Sequence, residues 1–331
     1  MTSGTTAYVI GLDGGGTKTV ARLADLNGAA LAESRGGPSN FQVIGVEESA
    51  KTILDLIETC CHSIGCNSSE IGSVVAGLAG AGRPQDRQRI AEGIQDLAQK
   101  RGLYLRDLRI ESDARIALEG AFEGNRGIVL IAGTGSIVFA SDGHGKVIRA
   151  GGWGRLIGDE GSGYHIGNEG LRAVARMMDG RGKATLLAGM IRKQLALGDQ
   201  ESIIKAVYKE SFEIASVAPV VLQAAGKKDA RAIEILDSAA SELLVSVQAV
   251  LKKLRPGATS SSGKIPLVFI GSLLTSENVY SRKVRSLIRK KLPAVSIQLP
   301  AADPVQGAVL MAIASGAHGV TGKKKARLAV A

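Results

Sequence analysis

One pattern occurs twice in this chain: a β-rich run, a turn of small residues, and a second β-rich run. The first copy is Tyr8-Val9-Ile10-Gly11-Leu12-Asp13, then Gly14-Gly15-Gly16-Thr17, then an alternating run over residues 18–25. The second copy is an apolar run over residues 127–132, then Gly133-Thr134-Gly135-Ser136, then a run over residues 137–140. Each copy predicts a β-hairpin, and the two together predict a duplication on the scale of a domain.

The remaining periodicity predicts an α/β protein of two domains. In the first half, helices are predicted at residues 46–64, 87–100 and 114–122, and further strands at residues 29–34, 74–79 and 108–111. In the second half, residues 162–254 are predicted to be mostly helical, with strands at residues 267–270 and 295–299. We therefore divide the chain into residues 1–120, residues 121–318, and a basic tail over residues 319–331.

The ends of the second half carry separate expectations. A last helix is expected from Pro304 to about Ala314, and the basic tail after it is expected to be disordered. The segment over residues 258–263 contains three consecutive serines and is predicted to be a flexible loop.

Composition restricts the class of protein. Hydrophobic residues make up 45% of the chain and charged residues 22%, which is ordinary for a globular protein. The formal net charge is +10, but aromatic residues are only 3%, so a basic surface that attracts a polyanion such as ATP is favoured over nucleic-acid binding. The three cysteines do not have the spacing of a metal site, and the chain shows neither a signal-peptide pattern nor a long apolar run. We therefore expect a cytoplasmic protein without membrane contact.

The two glycine turns suit the binding of phosphates. Glycine lets backbone N–H groups approach a phosphate closely, a Thr hydroxyl can donate to it, and an acid such as Asp13 can hold Mg²⁺ through water. Neither turn has the order of a Walker loop or of a Gly-x-Gly-x-x-Gly motif. A hairpin turn without a ligand is the alternative for one turn alone. Two turns in corresponding places suggest a nucleotide clamped between the domains.

Two further sequence features are candidates for chemistry. Asp113 lies where a predicted strand ends and a helix begins, a position that can face a ligand but can also serve only to cap the helix. Residues 151–163 place the chain's single tryptophan, Trp153, among glycines and beside Asp159 and Glu160. Hydrogen-bonding groups beside an aromatic face suit a sugar, whereas the alternative is a packing tryptophan with Ser162 as a helix cap.

These motifs together resemble the BadF/BadG/BcrA/BcrD ATPase family. The resemblance runs in order from Val9 to about His318 and includes Gly271-Ser272-Leu273, similar to the family's adenosine loop, and residues 303–308, similar to its closing helix. It is strongest to the N-acetylglucosamine kinase branch. The fold implied is two ribonuclease H-like, actin-like ATPase domains with a central cleft, the second enlarged by helices.

The resemblance also implies a role for each matching residue. Asp113 would be the base at the primary hydroxyl of an amino sugar, and Asp13 would hold Mg²⁺. The residues implied to bind ATP are Gly14, Gly15, Gly16, Thr17, Lys18, Gly133, Thr134, Gly135, Ser136, Gly271 and Ser272. Those implied to line the sugar pocket are Asn40, Gly152, Trp153, Asp159 and Ser162. The loop over residues 38–41 departs from that of the animal kinases, so N-acetylglucosamine and glucosamine both remain candidate substrates.

Two other functions stay open at this point. Other members of the family are ATPases that activate a reductase, but they carry cysteines for a shared iron–sulfur cluster, and Cys60, Cys61 and Cys66 lie on or beside a predicted helix. A non-catalytic ATP-binding regulatory module is the other alternative, and it would have no use for Asp113 and the Trp153 region. The partners expected are a sugar and ATP, and a homodimer is compatible with the sequence.

Overall fold

The computed structural model describes residues 7–254 and 263–327, with side chains described through Ser315. The chain divides into two compact units. One consists of Met1–Asn125 together with Pro300–Ala331, and the other is Arg126–Leu299. Both contain a five-stranded sheet with helices packed against it, so the predicted α/β class is confirmed.

The sheet of the first unit has the order β3-β2-β1-β4-β5. Its strands are β1 (Tyr8–Gly14), β2 (Thr19–Asp25), β3 (Ala30–Gly36), β4 (Ile71–Leu78) and β5 (Leu108–Ser112). The first three form an antiparallel meander, and β4 and β5 continue the sheet parallel to β1. Every residue of β4 is buried, as is typical of a central parallel strand covered on both faces.

Helices cover both faces of this sheet because successive strand residues point to opposite sides. The helices are α1 (Phe41–Ile44), α2 (Val46–Ile64), α3 (Pro84–Lys100) and α4 (Asp113–Phe122). Ile10 and Val74 belong to the core shared with α2 and α3, whereas Val9 and Val75 belong to a separate core that includes Ile116 of α4.

The sheet of the second unit repeats the first, with the order β10-β9-β6-β7-β8. Its strands are β6 (Gly127–Ala132), β7 (Ser136–Ser141), β8 (Val147–Gly151), β9 (Ile265–Ile270) and β10 (Val295–Gln298). Again the first three form an antiparallel meander, and the last two run parallel to the first. The predicted duplication therefore extends to the order and direction of the strands.

This unit also contains the predicted helical insertion. Its helices are α5 (Gly163–Met178), α6 (Leu186–Leu195), α7 (Gln200–Lys209), α8 (Ala218–Gly226), α9 (Ala230–Lys253), α10 (Ser272–Thr275) and α11 (Val279–Lys291). The long helix α9 packs with strands β7 and β8 and with helices α5, α8 and α11. Its buried face runs from Ala232 to Val250.

The last helix, α12 (Pro304–Arg327), differs from expectation in two ways. It packs with the first unit, although the sequence division placed it in the second, because Val309 and Ala312 join the apolar core of Val9 and Val75. It also continues past residue 314 through Arg327, whereas the last helix was expected to end near residue 314. No proline interrupts the segment, and its Lys, Arg and Ala residues favour helix.

One strand of the structure was not predicted, and two predicted segments lie wholly or partly outside the described residues. Strand β8 was not predicted, because it is an edge strand in which Ile148 is the residue buried and the others are not. The predicted flexible loop over residues 258–263 lies outside the described residues except for Gly263, and so do residues 328–331 at the end of the basic tail.

Candidate functional site

The first glycine turn closes the hairpin between β1 and β2. The N–H of Gly15 donates to the carbonyl of Lys18 at 2.9 Å. Gly14 is buried, and a Cβ at that position would lie 2.1 Å from the Ser39 Oγ, so a side chain does not fit there. The exposed tip of the turn consists of Gly16, Thr17 and Lys18. The backbone of this tip is therefore accessible to a ligand.

Hydrogen bonds attach this turn to the loop that carries Asn40. The Thr19 hydroxyl donates to the carbonyl of Gly37 at 2.8 Å and lies 2.8 Å from the Ser39 hydroxyl. The N–H groups of Ser39 and Asn40 donate to the carbonyl of Gly15 at 3.0 and 3.2 Å. The Asn40 side chain caps α1 by accepting the N–H of the residue two positions later at 3.1 Å. Asn40 is thus held beside the first glycine turn.

The carboxyl group of Asp13 has an unusual environment at the end of β1. Burial raises its pKa to about 6, and the neighbouring Asp113 carboxylate acts in the same direction. The Lys18 ammonium lowers the pKa, and Asp303 raises it. Asp13 is therefore desolvated among like charges, an environment that a cation would stabilise.

Asp113 lies at the same edge of the sheet as Asp13. Strands β1, β4 and β5 are parallel neighbours, so their carboxyl ends meet at the edge where open α/β sheets bind ligands. The Asp113 side chain is exposed to solvent, yet desolvation by the surrounding chain raises its pKa above that of an ordinary aspartate. Its Oδ1 accepts the N–H of Ala114 at 2.7 Å, which orients the carboxylate.

The cap of α4 is a different residue. Ser112 is the N-cap, and its hydroxyl accepts the N–H of Arg115 at 3.2 Å. Asp113 is the first residue of the helix itself. The capping role that the sequence left open for Asp113 is therefore filled by its neighbour.

The second glycine turn closes the hairpin between β6 and β7. The N–H of Gly133 donates to the carbonyl of Gly135 at 2.9 Å. The first residues of α5 attach to this turn, because the N–H of Gly163 donates to the Gly133 carbonyl at 2.8 Å and that of Tyr164 to the Thr134 carbonyl at 3.1 Å. The positive end of a helix of 16 residues thus lies at the turn, which favours an anion there.

Gly271 lies against this second turn. It follows β9, has a φ of +92°, and would place a Cβ 2.3 Å from the carbonyl oxygen of Ala132. Both the left-handed backbone and the close approach require glycine. Ser272 begins the short helix α10 directly afterwards. The predicted adenosine loop and the predicted phosphate turn of the second unit are therefore adjacent.

Asp159 lies against the second turn as well. Its Oδ1 accepts the N–H of Ser136 at 3.4 Å, and a Cβ on Gly135 would lie 3.0 Å from its Oδ2. The Ser136 hydroxyl donates to the carbonyl of Glu160 at 2.7 Å. Burial raises the pKa of Asp159. Its carboxylate thus supports the turn, in addition to any contact with a sugar.

Ser162 is fully buried and caps α5. Its hydroxyl accepts the N–H of His165 at 3.1 Å. The preceding Gly161 donates its N–H to the Nδ1 of His165 at 2.9 Å and accepts the Tyr280 hydroxyl at 2.7 Å. Ser162 therefore has the capping role that was one of its two alternatives in the sequence, the other being a contact with a sugar.

Trp153 and its neighbours form an exposed apolar loop. Trp153 is 66% exposed, Leu156 86% and Ile157 75%. The Cζ of Arg149 lies 5.6 Å from the centroid of the Trp153 ring. The preceding Gly152 donates its N–H to the Ser136 carbonyl at 3.2 Å, so the loop starts beside the second turn. Exposed apolar side chains on a glycine-rich loop are typical of a surface that covers a ligand.

The described residues fit a magnesium ion that is held mainly by water and phosphate. Over residues 7–254 and 263–315, whose side chains the structure describes, no group of three or more His, Cys, Asp or Glu residues forms a ready-made metal site. Mg²⁺ keeps several waters and uses one or two carboxylates together with substrate phosphates. The carboxyl groups of Asp13 and Asp113 are oxygen donors of this kind, and the raised pKa of Asp13 shows that a nearby cation would stabilise its ionised form.

Several supporting residues were missed by the sequence analysis. Thr19 and Ser39 hold the first turn, and Tyr280 and His165 hold the start of α5. The alternation of β2 made Thr19 detectable as an inward-facing polar residue. Tyr280 lies within the basic helix α11 and carries no local signal, because its partner is more than a hundred residues away.

Comparison with known proteins places these features in a family context. The model of the BadF/BadG/BcrA/BcrD ATPase family matches residues 10–312. The chain is 36% identical over 308 residues to the N-acetylmuramic acid/N-acetylglucosamine kinase of Clostridium acetobutylicum, covering 92% of this chain and 98% of that protein. It is 30% identical over 318 residues to the N-acetyl-D-glucosamine kinase of Dictyostelium discoideum, with the same coverage of both chains.

Solved structures agree with this result. A candidate N-acetylglucosamine kinase from Chromobacterium violaceum matches with a TM-score of 0.70 and 26% identity, over 93% of this chain and 99% of that one. A ROK family glucokinase from Streptomyces griseus matches with a TM-score of 0.52 and 15% identity, over 92% and 98%. The predicted fold of two ribonuclease H-like domains is confirmed. Within the described residues, no helix is long and apolar enough to span a membrane.

Proposed function

Because the chain belongs to the BadF/BadG/BcrA/BcrD ATPase family, we propose that it is an ATP-dependent kinase of N-acetylglucosamine or glucosamine. Its relatives in Clostridium and Dictyostelium are kinases of N-acetylated amino sugars, and they match over more than nine tenths of this chain. The phosphate acceptor would be the primary hydroxyl of the sugar. A cytoplasmic location and a homodimer remain compatible with this proposal.

The observation that carries the proposal is the arrangement of acids at the carboxyl edge of the first sheet. Asp113 follows β5 with an accessible carboxylate that is not needed to cap its helix. Asp13 lies at the same edge, one residue before the end of β1, with a pKa raised to about 6. A protein that only binds ATP has no need for a second, accessible carboxylate at this edge. A kinase needs one for its acceptor hydroxyl.

In the first unit we assign the following roles. Asp13 holds Mg²⁺ through water, and the backbone of the first turn with Thr17 and Lys18 binds phosphate oxygens. Bound Mg²⁺ would neutralise charge on the phosphates, which lowers the barrier to transfer. Asn40, fixed to that turn through the Gly15 carbonyl, binds a sugar hydroxyl. Asp113 accepts the proton of the attacking hydroxyl.

In the second unit we assign further nucleotide and sugar contacts. The second turn binds phosphate through its backbone, the Thr134 hydroxyl and Ser136. Gly271 and Ser272 lie under adenosine. Gly152 and Trp153 contact the sugar, and Asp159 serves both the sugar and the second turn. We assign Ser162 an indirect role, through the start of α5, because its side chain is fully buried.

The chemistry of Asp113 follows from its environment. A carboxylate cannot remove the proton from an alcohol in advance, but it can orient the hydroxyl and accept the proton as the P–O bond forms. Desolvation raises the pKa of Asp113, which makes the ionised form a stronger base than a fully solvated aspartate. Positioning and charge stabilisation supply the rest of the rate enhancement in phosphoryl transfer.

The reductase-activator alternative receives no support from the cysteines. Cys60 and Cys61 are buried on α2, and burial raises the pKa of Cys61 to about 12. Cys66 follows the same helix and is partly buried. Ligands of an iron–sulfur cluster shared between subunits need accessible thiolates. Anaerobic purification that yields a colourless protein would exclude this function.

A sugar panel tests the proposed function. ADP formation is measured with Mg-ATP and N-acetylglucosamine, glucosamine, N-acetylmuramic acid, glucose or no sugar. The proposal expects rapid ADP formation with at least one amino sugar and little without sugar. Equal rates with and without every sugar would contradict it.

A further inference from the structure

Arg155 lies on the exposed part of the loop that contains Trp153. Residues 154–157 form a tight turn in which the N–H of Ile157 donates to the carbonyl of Gly154 at 3.3 Å. Arg155 is exposed at this turn, and its Cζ lies 5.9 Å from the centroid of the Tyr164 ring. A guanidinium over an aromatic face is held in place without losing its hydrogen-bond donors.

Tyr164 links this arginine to the second glycine turn. It is the second residue of α5, and its N–H donates to the carbonyl of Thr134 at 3.1 Å. The residue before it, Gly163, donates to Gly133 at 2.8 Å. The ring that supports Arg155 therefore belongs to the segment that builds the proposed phosphate turn. All of these residues lie within the second unit.

Among the described residues, exposed Arg149, Arg155 and Arg176 form no ion pair, and of these Arg155 is the one that contacts a ring at the start of α5. Arg172, on the same helix as Tyr164, forms an ion pair with Glu169 at 2.8 Å, and Arg181 pairs with Asp179. Within the described part of the chain, no carboxylate forms an ion pair with Arg155. A planar guanidinium with unused donors matches the geometry of a phosphate group.

We propose that Arg155 is a further catalytic residue, which donates hydrogen bonds to the γ-phosphate of ATP. The proposal rests on the kinase function proposed above. In the transfer, the sugar hydroxyl oxygen forms a bond to the γ-phosphorus, and the bond from that phosphorus to the β,γ-bridging oxygen breaks. The hydroxyl proton passes to Asp113 and ADP leaves. Arg155 stabilises the negative charge on the transferred group and exchanges no atoms with it.

The first test separates binding of the γ-phosphate from binding of the rest of the nucleotide. Dissociation constants of ADP and of a non-hydrolysable ATP analogue are measured by calorimetry for the wild type, Arg155→Gln and Arg155→Lys. We expect Arg155→Gln to leave ADP binding unchanged within about threefold and to weaken binding of the analogue by roughly tenfold or more. Arg155→Lys keeps the positive charge but lacks the planar guanidinium that can donate two parallel hydrogen bonds. Its loss of affinity for the ATP analogue should therefore be intermediate.

The second test follows turnover of N-acetylglucosamine. Arg155→Gln should lower kcat on the order of 10²-fold with little change in the KM for the sugar, because the contact strengthens in the transition state. Arg172→Gln is the matched control, since it removes one positive charge from an exposed arginine of the same unit that already has a partner. The control should keep its turnover, and melting temperatures verify that all variants are folded.

The outcomes distinguish this inference from the proposed function. Wild-type kcat and wild-type affinity for the ATP analogue in Arg155→Gln would overturn the inference while leaving the kinase intact. A loss confined to N-acetylmuramic acid, whose carboxylate could also bind an arginine, would overturn it as well. If the wild type phosphorylates no sugar, the proposed function fails, and the comparison of ADP with the ATP analogue still tests the phosphate contact.

Discussion

Asp13→Asn should make the metal-free protein more stable, although it removes the carboxylate that we propose holds Mg²⁺. The pKa of Asp13 rises from 3.8 to about 6 in the folded chain. Burial is the main cause and the Asp113 carboxylate is the second. Asparagine is close in size to aspartate but carries no charge, so it avoids both the desolvation of a charge and the repulsion.

The sign of the effect follows from the direction of the pKa shift. Below about pH 4 the carboxyl group is protonated in the folded and unfolded states, and it brings no electrostatic penalty. Above about pH 6 it is ionised in both states, and the folded state carries the full penalty. A shift of about two pKa units corresponds to about 3 kcal/mol in the free energy of unfolding. For a unit of this size, that is roughly 6 °C or more in melting temperature.

The assay is a series of melting curves from pH 4 to pH 8 in the presence of a chelator. Asp13→Asn should melt like the wild type near pH 4 and at a higher temperature above pH 6. Asp25→Asn is a control of opposite sign, because backbone hydrogen bonds, chiefly from the N–H of Ala29, lower the pKa of Asp25. That variant should lose stability at neutral pH. Mg²⁺ should stabilise the wild type and have less effect on Asp13→Asn.

One result would refute this reasoning. If the difference in melting temperature between Asp13→Asn and the wild type is the same at pH 4 and at pH 8, Asp13 carries no electrostatic penalty in the folded protein. The proposed metal role of Asp13 would then lose its physical basis.

Three further predictions concern the proposed site. Asp113→Asn should lower kcat by roughly 10²–10⁴-fold without lowering the melting temperature, because Ser112 caps the helix and desolvation already disfavours the charge of Asp113. Trp153 is the chain's single tryptophan, so its emission should change saturably when a substrate sugar is added, and ATP alone should have a smaller effect. No response to a sugar that the enzyme phosphorylates would remove Trp153 from the pocket. Gly271→Ala should weaken ATP binding and lower the melting temperature, since the new Cβ would lie 2.3 Å from the Ala132 carbonyl oxygen. Wild-type ATP affinity and melting temperature in Gly271→Ala would show that the backbone around residue 271 can shift to accommodate a Cβ without loss of stability.

The sequence was sufficient to predict the parts of the fold that have local signals. The two hairpins were predictable because each combines an apolar strand with a glycine turn, and their repetition predicted the duplication. Helix α2 was predictable from the spacing of its apolar residues. By contrast, strand β8 has little apolar alternation, since it lies at the edge of its sheet and buries mainly Ile148.

Long-range packing accounts for what the sequence could not predict. Helix α12 follows the second unit in sequence, but its apolar face matches the open face of the first sheet around Val9 and Val75. The candidate site shows the same limit. Asp13 and Asp113 were recognisable from the ends of their strands, whereas the contact of Asp159 with Ser136 depends on the fold of the whole loop between them.

The fate of the γ-phosphoryl group tests directly whether the protein is a sugar kinase. Phosphorus NMR can follow a reaction of the wild-type protein with Mg-ATP and N-acetylglucosamine, or glucosamine if the panel selects it. We predict a new phosphomonoester on the primary carbon of the sugar, formed in equal amount with ADP. With Asp113→Asn, this product should not form at a comparable rate. Accumulation of inorganic phosphate with unchanged sugar would show an ATPase without sugar kinase activity and would contradict the proposed function.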